Sequence, residues 1–281
     1  MIRKIESKEI TNLVEKLAIE ANYVLTDDIR KGITDGISTE KSPLGRDILN
    51  TLIENADIAK NEQCPMCQDT GLTIVFVEIG QEVQIVGGSM EEAINEGVRR
   101  GYEKGYLRKS VVNDPIRREN TGDNTPAIIY YDIVPGNTFK LTVAPKGFGS
   151  ENMSQLRMLK PSEGVEGIKE FVIKTVSDAG SNPCPPIIVG VGIGGSMDKS
   201  ALLSKQALLI PLDKVNSDPL LAKLEEELLE AINNLGIGPA GFGGTTTALA
   251  VKIKSYATHI AGLPVAVNIG CHATRHAEGT L

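Results

Sequence analysis

The side chains with the most versatile chemistry in this chain are its four cysteines, Cys64, Cys67, Cys184 and Cys271. The first two belong to the segment Cys64-Pro65-Met66-Cys67-Gln68-Asp69-Thr70-Gly71, in which a thiol, an amide and a carboxylate are adjacent. The apolar run 72–77 follows at once, so the pattern predicts a turn that leads into a buried strand. Polar groups at the end of a rigid element are typical of a functional site.

Cys184 and Cys271 also lie in turn signals beside predicted strands. Cys184 stands in Asn182-Pro183-Cys184-Pro185-Pro186, and Cys271 in Asn268-Ile269-Gly270-Cys271-His272. With Cys67 they offer three thiolates from distant segments, which suits an iron–sulfur cluster because thiolate is its usual ligand. Three ligands on a four-iron cluster would leave one iron open to substrate, an arrangement typical of Lewis-acid chemistry.

The spacing of the cysteines leaves other interpretations open. Cys64 and Cys67 form a CxxC pair, which could be half of a structural zinc site or a redox dithiol. A zinc site usually has a second close pair, and a thioredoxin-like CxxC opens a helix, whereas this pair precedes a strand. All four cysteines could also be ordinary buried thiols, since cysteine is among the most buried residue types.

A glycine-rich stretch, Gly190-Val191-Gly192-Ile193-Gly194-Gly195, matches GxGxxG after a predicted strand, and Asp213 follows near the expected acidic position. An NAD(P)-dependent oxidoreductase that uses this loop is therefore an alternative of a different class. Against it, the first glycines fall inside the apolar strand, and Pro211 interrupts the next apolar segment. The favoured interpretation is that these glycines let backbones pack closely near a cluster site.

Composition excludes several classes of function. The net charge is −7, so the chain as a whole lacks the basic footprint of a nucleic-acid-binding protein, and its basic clusters are interpreted as solvated faces. The N-terminus is too charged for a signal peptide, and no apolar run reaches the ~20 residues of a membrane span. Four cysteines without a secretory signal predict reduced thiols and a cytoplasmic location.

Periodicity predicts a mixed α/β (α+β) fold, with helices around mixed sheets and the functional site in loops at strand ends. One domain over residues 1–281 is expected, because no linker or repeat interrupts the chain. Ser89 and Glu92 form a capping-box pattern that predicts a helix over 90–105, and Asp218-Pro219 predicts another over 219–235. Two strands, 127–134 and 138–144, are expected to form a hairpin.

Five motifs, in this order, resemble the class I fumarases, and more closely the α subunit of their two-subunit form, which includes the iron–sulfur tartrate dehydratases. They are Cys67-Gln68-Asp69-Thr70-Gly71, Leu107-Arg108-Lys109-Ser110, Lys146-Gly147-x-Gly149-Ser150-Glu151-Asn152, Asn182-Pro183-Cys184-Pro185-Pro186 and Asn268-Ile269-Gly270-Cys271-His272-Ala273-x-Arg275-His276. The resemblance runs from about residue 10 to the end. It implies that the chain is equivalent to the N-terminal catalytic part of one-chain class I fumarases, and that the family's β part is absent.

The resemblance implies a [4Fe–4S] cluster held by Cys67, Cys184 and Cys271, with Cys64 as a spare thiol. The implied reaction is the oxygen-sensitive, reversible hydration of fumarate to (S)-malate, with L(+)-tartrate dehydration as the alternative. The implied partner is a β subunit of the same enzyme, in an α2β2 heterotetramer, and the substrate is a small four-carbon dicarboxylate.

Site residues follow from the matched positions. The resemblance implies that Asp69 takes part in proton transfer and that His259 is an active-site residue. It implies that Gln68 and Arg108 contact the substrate carboxylates, and that Gly149 binds substrate through its backbone NH.

Each of these residues also has a structural interpretation. Asp69 before Thr-Gly is typical of an Asx-turn, and Arg108 could belong to a solvated basic helix end. His259 could be a core histidine on an apolar strand. His272 and His276 flank Cys271 and could orient its loop.

Overall fold

The computed structural model describes residues 2–281 and has the mixed α/β fold expected from the sequence. Its contacts divide the chain into two compact units. Unit 1 contains the residues up to Thr26 together with Asn55–Phe148 and Arg275–Leu281, and unit 2 contains Asp27–Glu54 and Gly149–Thr274. Because both units are built from separate stretches, no linker is visible in the sequence. One hydro-lyase domain over 1–281 stays a prediction.

Helices and strands alternate irregularly along the chain. In order they are β1 (Arg3–Glu6), α1 (Ser7–Tyr23), α2 (Asp27–Thr39), α3 (Pro43–Glu62), β2 (Leu72–Gly80), β3 (Val83–Val86), α4 (Met90–Lys104), β4 (Ile128–Val134), β5 (Phe139–Lys146), α5 (Phe148–Glu151), β6 (Gln155–Leu159), α6 (Gly164–Ala179), β7 (Ile187–Gly194), α7 (Met197–Ala207), α8 (Pro219–Asn233), β8 (Ala248–Tyr256), β9 (Leu263–Gly270) and β10 (Ala277–Thr280). No helix within residues 2–281 has both the length and the apolar character needed to cross a bilayer.

Unit 1 packs α1 and α4 against a four-stranded sheet of order β10-β5-β2-β4, and β1 pairs with β3 beside it. Both helices bury one apolar stripe, as their spacing of three and four residues requires. The predicted helix over 90–105 is confirmed as α4, and its Ser89 side chain accepts a hydrogen bond from Glu92 N. Tyr102, on the buried stripe of α4, is completely inaccessible to solvent.

The predicted hairpin at 127–134 and 138–144 is wrong in its pairing, although both strands exist. β4 pairs in parallel with β2, and β5 pairs antiparallel with the other edge of β2, so β2 lies between them. The turn at Gly136 passes over the end of β2. A Cβ atom on Gly80 would lie 2.3 Å from the Gly136 carbonyl oxygen. Local turn residues therefore predicted the reversal of the chain, but not the strand that is inserted into it.

Unit 2 is a sheet of order β6-β9-β7-β8 with helices on both faces. β7 is parallel to β8 and antiparallel to β9. Apolar side chains on one face of this sheet, including Val189 and Val191, pack against α6 and α8. The predicted helix over 219–235 is confirmed as α8, with the Asp218 carboxylate accepting from Leu220 N.

On the opposite face of β7, Ile188 is followed by glycines at positions 190 and 192. A Cβ atom at Gly190 would lie 2.2 Å from the Ser204 carbonyl oxygen, and one at Gly192 would lie 2.0 Å from that of Ser200. Both contacts are far shorter than van der Waals distance, so only glycine lets α7 lie directly on the strand. The predicted close packing of backbones is therefore confirmed at Gly190 and Gly192, whereas its nearness to a cluster stays a prediction.

Glu40 is the most enclosed carboxylate of unit 2, with 2% of its surface exposed. Its oxygens accept hydrogen bonds from the backbone N–H groups of Ser42, Thr245 and Thr246, at 2.7–2.9 Å. Burial alone would raise the pKa of Glu40, but these bonds stabilise the charged form and hold the pKa at about 2. The carboxylate thus joins the end of α2 to the loop before β8.

We expect Glu40→Gln to lower the free energy of unfolding at pH 7 by about 1–3 kcal/mol, because the amide leaves buried N–H groups without an acceptor. Since the folded pKa is depressed, the contribution of Glu40 is complete above its unfolded pKa. It is then lost as the pH falls towards about 2. Urea unfolding of both proteins between pH 7 and pH 3.5 should show the difference narrowing. A constant difference would contradict this account.

Candidate functional site

Two of the predicted cluster cysteines lie at the same edge of the unit 2 sheet. Cys184 comes three residues before β7, and Cys271 directly follows β9. Because β7 and β9 are antiparallel, with Ile188 opposite Gly270, the start of one strand is adjacent to the end of the other. Strand pairing therefore brings two segments together that are more than eighty residues apart in sequence.

Hydrogen bonds join the two cysteine loops directly. The backbone N–H of His272 lies 3.4 Å from the carbonyl oxygen of Cys184, and its ring Nδ1 lies 3.1 Å from the same oxygen. Cys184 itself has φ +56°, a left-handed conformation that non-glycine residues rarely adopt. Such backbone strain is concentrated at functional sites, where the surrounding structure maintains it.

The Cys271 loop is closed by its own hydrogen bonds. The backbone N–H and the hydroxyl of Thr274 donate to the Cys271 carbonyl oxygen, at 2.9 and 2.7 Å. Cys271 is half-buried and Cys184 is exposed. The side chains are thus presented at the sheet edge by loops that have little freedom to move apart.

Gly149 lies beside the Cys184 loop. A Cβ atom at Gly149 would be 3.6 Å from the carbonyl oxygen of Asn182, two residues before the cysteine. Gly149 is exposed, in the short helix α5. Unit 2 therefore gathers three of the predicted site residues, Gly149, Cys184 and Cys271.

Unit 1 gathers a second group around Asp69. Its Oδ1 accepts a hydrogen bond from Gly71 N at 3.0 Å, and its Oδ2 accepts one from Phe148 N at 2.8 Å. The predicted Asx-turn is therefore present, but it uses only one of the two carboxylate oxygens. The carboxylate is half-buried and held from two sides by backbone, which restricts it to one orientation.

Arg108 lies next to this turn. The Thr70 hydroxyl donates to the Arg108 carbonyl oxygen at 2.9 Å, while the Arg108 side chain belongs to an exposed residue. Gln68 is also exposed, and its Oε1 lies 3.9 Å from the Cys67 sulfur. The structure therefore places Cys67, Gln68, Asp69 and Arg108 in one neighbourhood of unit 1.

Buried polar side chains form hydrogen bonds to the backbone of the Asp69 turn. The Tyr102 hydroxyl lies 2.8 and 2.9 Å from the carbonyl oxygens of Thr70 and Gly71, and Asn124 Nδ2 donates to Gly71 O at 3.2 Å. Burial raises the pKa of Tyr102 to about 12, so its hydroxyl remains a donor across the physiological range. The Arg275 guanidinium donates to the Asp69 carbonyl oxygen.

Sequence reasoning missed the roles of these supporting residues. The apolar repeat of α4 predicts that Tyr102 is buried, but gives no information on its hydroxyl. Arg275 lies within the motif that begins at Asn268, and its place in that motif is the signal that could have indicated a role. The interpretation of His272 as a residue that orients the Cys271 loop agrees with its bonds to Cys184.

His259 is far from the two cysteines of unit 2. It lies in the exposed turn between β8 and β9, where its Nδ1 accepts from Ala261 N at 3.2 Å. The interpretation of His259 as a core histidine on an apolar strand is therefore wrong. Because His259 precedes β9 and Cys271 follows it, the eight residues of the strand separate them by about 26 Å.

No disulfide links the four cysteines. Within residues 2–281, no three or more His, Cys, Asp or Glu side chains are grouped as a ready metal site. Cys67 belongs to unit 1, whereas Cys184 and Cys271 belong to unit 2. Of the three predicted cluster ligands, unit 2 therefore brings two together, Cys184 and Cys271, through the pairing of β7 with β9.

A family model described as fumarate hydratase (Fumerase) matches residues 11–280. The chain therefore belongs to this family of hydro-lyases.

Named relatives cover nearly the whole chain. A Methanocaldococcus jannaschii protein, provisionally named L(+)-tartrate dehydratase subunit alpha, is 44% identical over 96% of both chains. The L(+)-tartrate dehydratase subunit alpha of Escherichia coli strain K12 is 34% identical over 97% of this chain and 90% of its own length. The protein of the same name from Shigella sonnei matches to the same extent.

The paired loops predict that Cys184 and Cys271 can be cross-linked without unfolding. In a Cys64→Ser/Cys67→Ser background, only these two thiols remain. We expect the short reagent dibromobimane, which fluoresces only after both its arms have reacted, to label the native cluster-free chain. Adding Cys184→Ser should abolish the signal. Fluorescence that arises only in denaturant would show that the two loops are apart.

Proposed function

We propose that this chain is the α subunit of a [4Fe–4S] hydro-lyase that adds water reversibly to a four-carbon dicarboxylate. The observation that carries the proposal is the joining of the Cys184 and Cys271 loops by strand pairing and by His272. Thiols at the ends of buried strands are suited to binding a cluster, and family membership gives the reaction class.

The proposed ligands are Cys67, Cys184 and Cys271. All three are thiols, each lies in a turn next to a strand, and each is at least partly accessible, so the donor set fits a cluster that takes thiolate ligands. When bound, a cluster with three protein ligands supplies a Lewis-acidic iron that polarises the C–O bond of the substrate. Cys64 remains a spare thiol in this proposal.

Asp69 is proposed to transfer the proton at the carbon next to the one that carries the hydroxyl. A carboxylate whose two oxygens accept N–H bonds from separate segments is held in one orientation, which favours proton transfer to a defined position. In the hydration direction the same group returns the proton to that carbon, while water supplies the hydroxyl.

Gln68, Arg108 and Gly149 are proposed to bind the substrate carboxylates. The removal of a proton beside a carboxylate places extra negative charge on it, which donor and cationic groups stabilise. Gln68 and Arg108 are exposed polar side chains beside Asp69, and Gly149 offers a backbone N–H next to the Cys184 loop.

The choice of substrate lies between two dicarboxylates. The family description names fumarate hydratase, whereas the named relatives are L(+)-tartrate dehydratase subunits. Fumarate and (S)-malate are the first pair that we propose, and L(+)-tartrate is the alternative. Assays of both substrates under argon separate them directly.

A β subunit is the proposed partner, because the relatives are named as alpha subunits. We propose an α2β2 assembly in the cytoplasm, where a reducing environment keeps thiol ligands reduced.

A role for His259 at the active site requires that two copies of the chain lie close together in this assembly. Since β9 separates it from Cys271, His259 would act at the site of another copy of the chain.

Cluster binding can be tested by substitution of each cysteine. In anaerobically reconstituted α subunit with its β subunit, the wild type should hold about four irons per α chain. Cys67→Ser, Cys184→Ser and Cys271→Ser should each lose stable iron, because each removes one thiolate ligand. Iron analysis and the visible absorption spectrum measure the result.

Cys64→Ser is the matched control, since it removes a thiol from the same turn without removing a proposed ligand. It should retain iron and activity. Iron loss from Cys64→Ser, with retention in Cys67→Ser, would reverse the ligand assignment. Binding of one zinc that is stable in air would instead favour a structural metal site.

Asp69→Asn should retain the cluster and lose turnover by a factor of about 10²–10⁴, because the amide cannot accept the proton. The control is Asp114→Asn, since Asp114 also forms an Asx-type turn in unit 1, with Ile116 N and Arg117 N. The measurements are kcat for fumarate hydration and iron content of the same samples.

An unimpaired rate in Asp69→Asn would exclude Asp69 from proton transfer.

Co-expression of Asp69→Asn chains with His259→Ala chains tests whether His259 acts at the site of another copy of the chain. Partial recovery of activity in the mixed assembly is expected if each site takes Asp69 and His259 from different chains. No recovery would contradict the proposed role of His259.

A further inference from the structure

Glu151 is the centre of a polar network in unit 2 that the proposed reaction does not yet use. Its Oε1 forms an ion pair with Lys205 Nζ, and its Oε2 accepts a hydrogen bond from Asn268 Nδ2 at 3.1 Å. The exposed fractions of the Glu151 and Lys205 side chains are only 23% and 16%, and Asn268 is buried. The three residues come from α5, α7 and β9, so one carboxylate joins three elements.

The close approach of α7 explains how Lys205 reaches Glu151. Gly190 of β7 lies directly opposite Asn268 of β9, and both therefore point to the α7 side of the sheet. With no side chain at Gly190, the backbone of Ser204 lies against the strand, and Lys205 is the next residue. The glycine-rich stretch thus lets α7 place an ammonium group beside the carboxylate.

A second bond holds the same loop to the same strand. The Ser154 hydroxyl accepts a hydrogen bond from Ile269 N at 3.1 Å, and β6 then continues antiparallel to β9 from Gln155. The segment from Gly149 to Ser154 is therefore attached to β9 at positions 268 and 269. Cys271 follows two residues later, so the Gly149 loop and the Cys271 loop share one strand as their support.

We infer that Glu151, held by Lys205, is a positioning residue that sets the place of the Gly149 backbone N–H relative to Cys271. The inference rests on the proposed function, in which Gly149 binds a substrate carboxylate and Cys271 binds the cluster. Glu151 acts through the loop that it anchors. Its carboxylate is already used by Lys205 and Asn268.

The expected effect of breaking this network is local. Removing Lys205 takes one ion-pair partner away from a poorly solvated carboxylate, which makes its present position less favourable and favours rotation towards solvent with release of Asn268. The sheet itself is held by backbone bonds and by the apolar packing of α6 and α8, which do not involve Glu151. The Gly149 loop should then lose its fixed position while unit 2 remains folded.

The test compares Lys205→Met with Lys205→Arg. Methionine keeps most of the length and apolar contact of lysine without its charge, whereas arginine retains an ion pair with Glu151. Lys174→Met is the matched control, because Lys174 forms an exposed ion pair with Asp178 on α6 of the same unit. Each variant is prepared as the full chain, both without iron and as the reconstituted assembly with its β subunit.

Two measurements are made on these proteins. Amide hydrogen exchange on the cluster-free chain should be faster over residues 149–154 in Lys205→Met, and normal in Lys205→Arg and Lys174→Met. In the assembled enzyme, Lys205→Met should raise KM for fumarate about tenfold and change kcat less, because a displaced binding group mainly weakens ground-state binding.

The outcomes separate this inference from the proposed function. Exchange over 149–154 that equals wild type in Lys205→Met would overturn the positioning role, and so would faster exchange spread over the whole of unit 2. A fall in kcat with unchanged exchange would also overturn it, since Lys205 would then act on the reacting groups. If the wild-type assembly hydrates no dicarboxylate, the proposed function fails, while the exchange experiment still tests the anchoring of the loop.

Discussion

The antiparallel pairing of β7 with β9 is the constraint on which the candidate site of unit 2 depends. One cysteine precedes the first strand and the other follows the second, so only antiparallel pairing puts both at one edge of the sheet. A shift of register by one residue would turn every apolar side chain of the strand to the opposite face. The apolar packing of α6 and α8 therefore also determines the register of β7 and β9, and with it how the two cysteine loops are aligned along the strands.

The same pairing has a consequence on the other face of the sheet. Because Gly190 and Gly192 have no side chains, α7 can lie against β7. The position of α7 in turn places Lys205 near Glu151. A glycine motif that is often associated with dinucleotides here serves the approach of two backbones. The loss of apolar contact at these glycines is offset by the contacts that a closely packed helix makes.

In unit 1 the position of the Asp69 carboxylate depends on hydrogen bonds from backbone groups. Asp69 accepts N–H bonds from two segments, and Tyr102 and Asn124 bond to the carbonyl oxygens of the same turn. An Asx-turn and a role in proton transfer are therefore compatible, since the first uses one carboxylate oxygen to orient the group. The turn is thus supported by buried neutral donors, Tyr102 and Asn124, and by one charged donor, the Arg275 guanidinium, which bonds to the Asp69 carbonyl oxygen.

The sequence alone determined the features that depend on near neighbours. The caps at Ser89 and Asp218, the apolar stripes of the helices and the position of the cysteines beside strands follow from contacts within a few residues. The sequence also contains the five motifs, in the same order as in the family, on which the resemblance rests. Tertiary structure alone decided that β2 separates β4 from β5, and that His259 lies in an exposed turn. It alone brought Asn268 to Glu151 across 117 residues. These features depend on which strands pair and how closely helices approach them, and such distant contacts leave no periodic trace in the local sequence.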